Sequence, residues 1–394
     1  MTFTLSLSPL TWALLAVAVA AAATCIIWLW VRERRLHRFV TVDAPLRNRL
    51  AREELPPVSV LVYTRNEAEW LSRFLPALLH QDYPAYEVIV VDDASSDGTK
   101  DLVSDMLTQH AHLRTTSIPE GTRSLSRKKL SLMLGIKAAK HDIIVTTSAN
   151  CRVTGEHWLE DIARNFVPGV DVVIGYSHYR YSRDKRLGRR YRILDSVMTG
   201  AQYLGSAIKG APYRGVADNL AYRKQTFFDN TGFSRSLDLK WGDDDVFVSE
   251  IAHGGNTRVE LERESIVHAY YENVARAHYE LKLHRDFTTS QLPVRKPFVA
   301  QGAFSAVHYL LWGALIAAAV LNPCNVAVLA AVAVIAIAAW LLTGVPVRRL
   351  CRLLDAPALL LTVPALLLWR PVVNLWYRLR GRRVRQSNYT SIID

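Results

Sequence analysis

Three consecutive aspartates, Asp243, Asp244 and Asp245, stand behind Trp241-Gly242 in the stretch WGDDDVFVSEIAHGG. An apolar periodic run starts directly after them, so they open a helix, where the dipole favours anions. Capping accounts for one or two. Three adjacent carboxylates exceed that need, and mutual repulsion raises their pKa values, which suits a general base. A second acidic pair, Asp92-Asp93, closes YEVIVVDD and leads into ASSDGT. There Asp97-Gly98 supplies a turn and a helix start. Asp92 and Asp93 repel one another unless a cation or hydrogen-bond donors face them, and ribose hydroxyls or a base N–H would serve. In SRKKL (126–130) Lys128 and Lys129 occupy a helix start, against the preference for acidic residues there. An anionic partner such as a diphosphate explains that placement; a solvated basic patch explains one of the two equally well. The apolar run HDIIVTT ends in Ser148-Ala149-Asn150, a polar turn without a carboxylate.

The elements that must position these groups alternate in type. VSVLVYT (58–64), YEVIVVDD (86–93), LRTTSIP and HDIIVTT read as strands, separated by helical stretches through His80, through DGTKDLVSDMLTQH and through RKKLSLMLGIKAAK. Strands alternating with helices imply crossovers and a mostly parallel sheet, hence an α/β fold. Such sheets bind ligands beyond the C-terminal ends of their strands, where Asp92-Asp93 and the 148–150 turn fall. Thr64-Arg65-Asn66-Glu67 follows the first strand, and Thr64 or Asn66 alone would be read as a helix cap. Further on, GVADNLAYRKQTFFDNTGF (215–233) reads as a loop, a short strand and a turn.

Half of the 394 residues are hydrophobic, and they are unevenly spread. Residues 9–31 carry no charge and are long enough to cross a hydrocarbon core of ~30 Å. RERRLHR (32–38) follows, so the positive-inside rule predicts a signal anchor with the central domain in the cytoplasm. The net charge of +12 does not imply nucleic acid, because much of the excess lies in RERRLHR, VRRLCR (347–352) and RLRGRRVR (378–385), beside apolar segments. Such clusters favour anionic membrane lipids. Cys25, Cys151, Cys324 and Cys351 are scattered, with no metal-ligand spacing. The expected organisation is an N-terminal transmembrane anchor (1–31), a basic juxtamembrane linker (32–57), an α/β domain (58–270), an interfacial connection (271–300), and C-terminal transmembrane or interfacial helices with a basic tail (301–394). Within the last part, spans are expected around 302–321 and 325–343. The stretch 353–377, with Pro357, Pro364 and Pro371, is expected to be re-entrant or interfacial.

VSVLVYTRNEAEWLSRFLPALLHQDYPAYEVIVVDDASSDGT, SRKKLSLMLGIKAAKHDIIVTT, NLAYRKQTF and GDDDVF, in this order and spacing, resemble the inverting family 2 glycosyltransferases with a GT-A fold, in particular membrane-anchored bacterial members. The resemblance runs from about Val58 to Tyr270. It implies a Rossmann-like mixed sheet, a nucleotide-diphospho-sugar donor with UDP-sugars favoured, and transfer with inversion. It also implies that Thr64 and Glu67 meet the nucleotide base, and that Asp93, with Asp92 beside it, holds the uridine or ribose. Lys128 would lie near the donor, Asp244 would be the catalytic base with Asp243 next to it, and Asn219 and Trp241 would face the acceptor. The membrane segments favour a lipid-linked or glycolipid acceptor. A nucleotide-sugar-binding scaffold without turnover and a polysaccharide synthase are the alternatives.

Two departures from the family pattern matter. Where its members carry a D-x-D motif for Mg²⁺ or Mn²⁺, this chain has Ser148 and Asn150. Hard cations prefer charged oxygens, so a hydroxyl and an amide imply weak or absent metal dependence. Either Asn150 holds the metal with help from a histidine such as His268, or Lys128, Lys129 or Arg223 neutralises the leaving group. The Q-x-x-R-W motif of processive synthases is also missing from 276–292, which argues against a long polymer as product.

Overall fold

A computed structural model describes residues 8–122, 126–180, 188–237 and 239–383; the end of the basic tail, from Val384 on, lies outside them. In chain order the helix α1 (Pro9–Arg38) precedes β1 (Val58–Thr64), α2 (Ala68–Leu79), β2 (Tyr86–Asp92), α3 (Thr99–Leu107) and β3 (Leu113–Ser117). Then come α4 (Arg127–Ala138), β4 (Ile143–Ser148), β5 (Cys151–Arg152), α5 (Trp158–Ala163), β6 (Val172–Ile174), β7 (Ser177–Tyr179) and α6 (Arg189–Ile208). The remainder is β8 (Leu220–Arg223), α7 (Lys224–Asp229), α8 (Asp245–Ile251), β9 (Thr257–Val259), β10 (Val267–Ala269), α9 (Val274–Gln291), α10 (Lys296–Leu321), α11 (Val326–Leu353) and α12 (Val363–Arg383).

The chain divides into two compact units. One comprises residues 39–189, 202–294 and 377–394, the other residues 1–38, 190–201 and 295–376. The first unit holds a seven-stranded mixed sheet in the order β3-β2-β1-β4-β8-β6-β9. β1, β2, β3 and β4 run parallel, whereas β8 is antiparallel to both β4 and β6. This is the GT-A arrangement. β1, β2 and β4 are buried along almost their whole length because helices cover both faces of the sheet. α4 crosses β1, β2 and β3 so closely that a Cβ at Gly135 would lie 2.7 Å from Val91 Cγ2. A three-stranded sheet, β5-β10-β7, stands beside the seven-stranded one. This unit runs on to Val294, past the boundary at 270 read from the sequence, and so includes α9.

The second unit is helical. Ala18, Ala21 and Ala22 of α1 pack with Leu311, Ala314 and Leu315 of α10 and Ala339 of α11, where small side chains let the helices approach closely. Three helical segments, Pro9–Asp43, Lys296–Leu321 and Val326–Leu353, are long and apolar enough to cross a membrane. The last apolar stretch of the sequence forms α12, with Pro371 inside it. Its Arg370 is buried, and Nε donates to Asp195 of α6 at 2.8 Å while Nη2 donates to Thr199 at 3.1 Å.

Candidate functional site

β1, β2 and β4 end level with one another. Thr64 lies beside Asp92 and Tyr63 beside Ser148 in the parallel register, so the loops after them share one edge of the sheet. Asp92 and Asp93 are both buried there, and the protein itself supplies their partners. Asp92 accepts the Ser95 N–H at 3.1 Å. Asp93 accepts from Arg127 Nε at 2.7 Å and from the Tyr63 hydroxyl at 2.8 Å, with Arg65 at 3.5 Å. The cation that answers this acidic pair is therefore Arg127, one residue before the lysines that the sequence singled out. Thr64 is fully buried at the end of β1. Half-buried Glu67 begins α2 without capping it, and burial and then Asp218 push its carboxyl up to about 7.

The two lysines of α4 part company. Ser126 caps the helix, accepting the Lys129 N–H at 3.4 Å. The Lys129 side chain is buried and donates to the carbonyls of Ser236, Leu239 and Trp241, tying down the loop before the aspartates. It is a loop anchor and leaves Lys128 as the ammonium facing the site. Lys128 Nζ lies 2.9 Å from Asp243 Oδ2. Burial would depress it, but Asp243, Asp218 and Asp244 hold its pKa well above the ordinary lysine value. Arg223, the third cation considered, pairs across the sheet with Ile143 at the far end of β4 from Ser148, and its guanidinium donates to Val170 O at 3.0 Å and to Asp142 at 3.1 Å. It does not reach the site.

Gly242, at φ +106°, makes the turn that delivers the triple aspartate to the start of α8. Each outer member has a cation of its own. Asp243 has Lys128, and Asp245 has Arg214 at 3.3 Å together with the Thr288 hydroxyl of α9. Burial pushes both carboxyls up, yet these cations hold them below the ordinary carboxylate range. Asp244 caps α8, accepting the Asp245 N–H at 2.6 Å, and among the described residues no lysine or arginine forms an ion pair with it. Burial, then Asp245 and Asp243, raise its pKa well above the usual value. His284 of α9 faces it, with Nε2 at 3.7 Å from Asp244 Oδ1. Trp241 stacks on the His284 ring at 5.3 Å between centroids, and burial pushes that histidine down to about 4, so it is neutral.

The turn after β4 offers little to a metal. Ser148 Oγ donates to Asp218 Oδ1 at 2.9 Å, and Asn150 Nδ2 donates to the Tyr270 carbonyl at 2.9 Å. These bonds use the hydroxyl proton and the amide N–H, and neither side chain is charged, so this turn by itself does not fit a hard divalent ion. His268 sits in β10 opposite Arg152, buried in the small sheet. Asn219, expected on the acceptor side, is corrected: its amide is buried, donating to Tyr176 O at 3.0 Å and Ser265 O at 2.7 Å and accepting from Trp158 Nε1 at 3.3 Å. Such a side chain braces the two sheets and has no hydrogen bond left for a ligand. Among the described residues, Asp244, Asp245 and His284 bring metal-type ligand atoms within 4.8 Å of one another.

Residues 59–235 match the profile of glycosyl transferase family 2. This match covers a little under half of the chain. Over 140 residues it is 31% identical to Glycosyltransferase AglE of Haloferax volcanii, a match covering 35% of this chain and 44% of that protein. It is 23% identical over 189 residues to the poly-beta-1,6-N-acetyl-D-glucosamine synthase of Staphylococcus epidermidis, covering 47% of this chain and 42% of that protein. The matches thus span less than half the length of either curated relative. Among solved structures, a mannosyltransferase from Pyrobaculum calidifontis in complex with GDP-Man and Mn²⁺ superposes with a TM-score of 0.59 at 23% identity, covering 92% of this chain and 99% of that one. The likeness to this mannosyltransferase supports the GT-A fold seen in the strand order. Arg127, Arg214, Asp218, His284 and Thr288 are the site residues the sequence did not single out.

Proposed function

We propose that this chain is a family 2 glycosyltransferase that transfers a single sugar from a nucleotide-diphospho-sugar to a hydroxyl of a lipid-linked or other membrane-associated acceptor, with inversion. The observation that carries the reading is the charge pattern of Asp243, Asp244 and Asp245: the outer two are each ion-paired with a lysine or arginine, and among the described residues the middle one is not. A buried carboxylate whose ionised form is disfavoured binds a proton well, which is what a general base does when it takes one from an acceptor hydroxyl. The deprotonated oxygen attacks the anomeric carbon, and the nucleoside diphosphate leaves from the opposite face. Lys128, ionised and 2.9 Å from Asp243, is the cation placed to meet the diphosphate. Thr64, Glu67 and the backbone beside Asp92 and Asp93 line the same strand ends and receive the nucleoside. Trp241, stacked on His284, flanks the base on the acceptor side.

Three helical segments able to span a bilayer favour an acceptor drawn from the membrane. The basic cluster at the C-terminal end of α1 favours a cytoplasmic catalytic unit in a bacterial inner membrane. The test is to supply radiolabelled UDP- and GDP-sugars to the full chain in native membranes and follow the label. Transfer of one residue into an organic-extractable product, with the opposite anomeric configuration by NMR, is expected. Label passing only to soluble saccharides, or into a growing polymer, would contradict the acceptor or the single-sugar step.

A further inference from the structure

We propose that Asp218 is the carboxylate that holds a divalent cation at the donor diphosphate, doing from a neighbouring strand what the 148–150 turn has no carboxylate to do. The proposal rests on the donor binding at the strand ends as described above.

Its geometry comes from the one strand that breaks the parallel run. β8 pairs antiparallel with β4, with Ile143 opposite Arg223 and Thr146 opposite Leu220. Continuing that register two residues beyond Thr146 brings Asp218 across from Ser148, and the Ser148 hydroxyl donates to Asp218 Oδ1 at 2.9 Å. A negative charge therefore stands where the turn itself has lost one, delivered from the other side of the same edge. The hydroxyl orients one carboxylate oxygen, and the side chain is only half-buried.

Charge balance gives this carboxylate a purpose. Glu67 stands within electrostatic reach of Asp218, so a second carboxyl group faces this corner. A diphosphate brought to this corner adds two further negative charges. The ammonium at hand, Lys128, is shared with Asp243 and brings one positive charge against two. Two carboxyl groups beside a diphosphate repel it unless positive charge intervenes, and a divalent ion held by one carboxylate and the phosphate oxygens is a common way to provide it. The corner already tolerates a cation: the Lys128 ammonium stands within electrostatic reach of Asp218, Asp243 and Asp244 together. The expectation of weak metal dependence, drawn from Ser148 and Asn150, is thereby reversed by a residue the strand pairing supplies.

Mn²⁺ binding by the full chain in nanodiscs, read from the loss of the free-ion EPR signal in the presence of UDP or GDP, tests this directly. Wild type should take up Mn²⁺ with the nucleoside diphosphate. Asp218→Asn should weaken uptake at least about tenfold, the loss that removing even an outer partner of a metal ligand brings. Ser148→Asp in the Asp218→Asn background should restore it, because the two side chains face each other across the strands. Asp218→Glu, which keeps the charge, should retain binding, and a thermal melt of each variant separates lost binding from lost folding. Uptake unchanged in Asp218→Asn would put the ion elsewhere, among Asp244, Asp245 and His284 for instance, and would overturn the proposal. Full turnover of wild type in chelator would also overturn it while leaving the transfer reading intact. Normal Mn²⁺ uptake without transfer from any donor would do the reverse.

Discussion

The turn that ends β4 and the turn that starts α8 both project over the C-terminal edge of the sheet, yet they carry charge in opposite ways. The first has no carboxylate of its own, and its Ser148 and Asn150 are bonded to Asp218 and to the Tyr270 carbonyl. The second has three carboxylates in a row, two neutralised by Lys128 and Arg214 and one left with a raised pKa. The difference teaches that residue identity at a family position is a poor guide to local charge. The depleted turn borrows a carboxylate from β8's approach, and the crowded one borrows two cations, from α4 and from the loop before β8.

Lys128 serves both turns, so changing it should have the largest effect on the contrast. Lys128→Met is expected to lower kcat/KM for the donor by roughly 10²- to 10³-fold, the range seen when one stabilising donor is removed from a preorganised site. If Lys128 were only a counter-ion for Asp243, Asp243→Asn in the same chain would restore the rate; steady-state kinetics on the double variant should show no recovery.

Asn150→Asp attacks the other turn. It puts a carboxylate back at a D-x-D position, but it replaces the N–H that Tyr270 O accepts. A buried carbonyl left facing a carboxylate should cost about 1–3 kcal/mol, measurable as a lower Tm with no gain in Mn²⁺ affinity. Tighter Mn²⁺ binding by this variant would mean that the turn, not Asp218, is where a metal belongs.

The smallest effect expected is a displaced pH profile. A base works only when ionised, and the Asp244 pKa is raised, so kcat/KM should keep climbing above about pH 5, where free carboxyls are already ionised. Asp245→Asn removes one of the anionic neighbours that raise it and should move the acidic limb to lower pH. A limb that stays in place would leave burial and Asp243 as the causes of the shift.

Much of the fold was legible in sequence because its signals are local. Apolar runs such as VSVLVYT and YEVIVVDD, separated by amphipathic stretches, specify buried parallel strands with helices between them. The triple aspartate and the start of α4 were legible for the same reason, being groups of unusual residues at element ends. What sequence could not reveal depends on pairing between distant segments. Asp218 looks like one more loop residue until β8 is seen to run antiparallel to β4. His284 looks like a surface position on an unpatterned helix until α9 is seen to pack against the start of α8. Asn219 was misjudged in the opposite sense: a polar side chain in a loop suggested a ligand, whereas three buried hydrogen bonds make it a brace. Of the two adjacent lysines, only tertiary structure separates the one that anchors a loop from the one that faces the site.

The most direct test of the account is Asp244→Asn, which removes the base while keeping the size and the helix cap. Donor affinity by calorimetry and product formation under single turnover should be measured on the same preparation. The account predicts donor binding within about twofold of wild type and a rate lower by roughly 10²- to 10⁴-fold, the contribution of a positioned base. A rate near that of wild type would contradict it, because the middle carboxylate of the three would then not be the group that takes the proton.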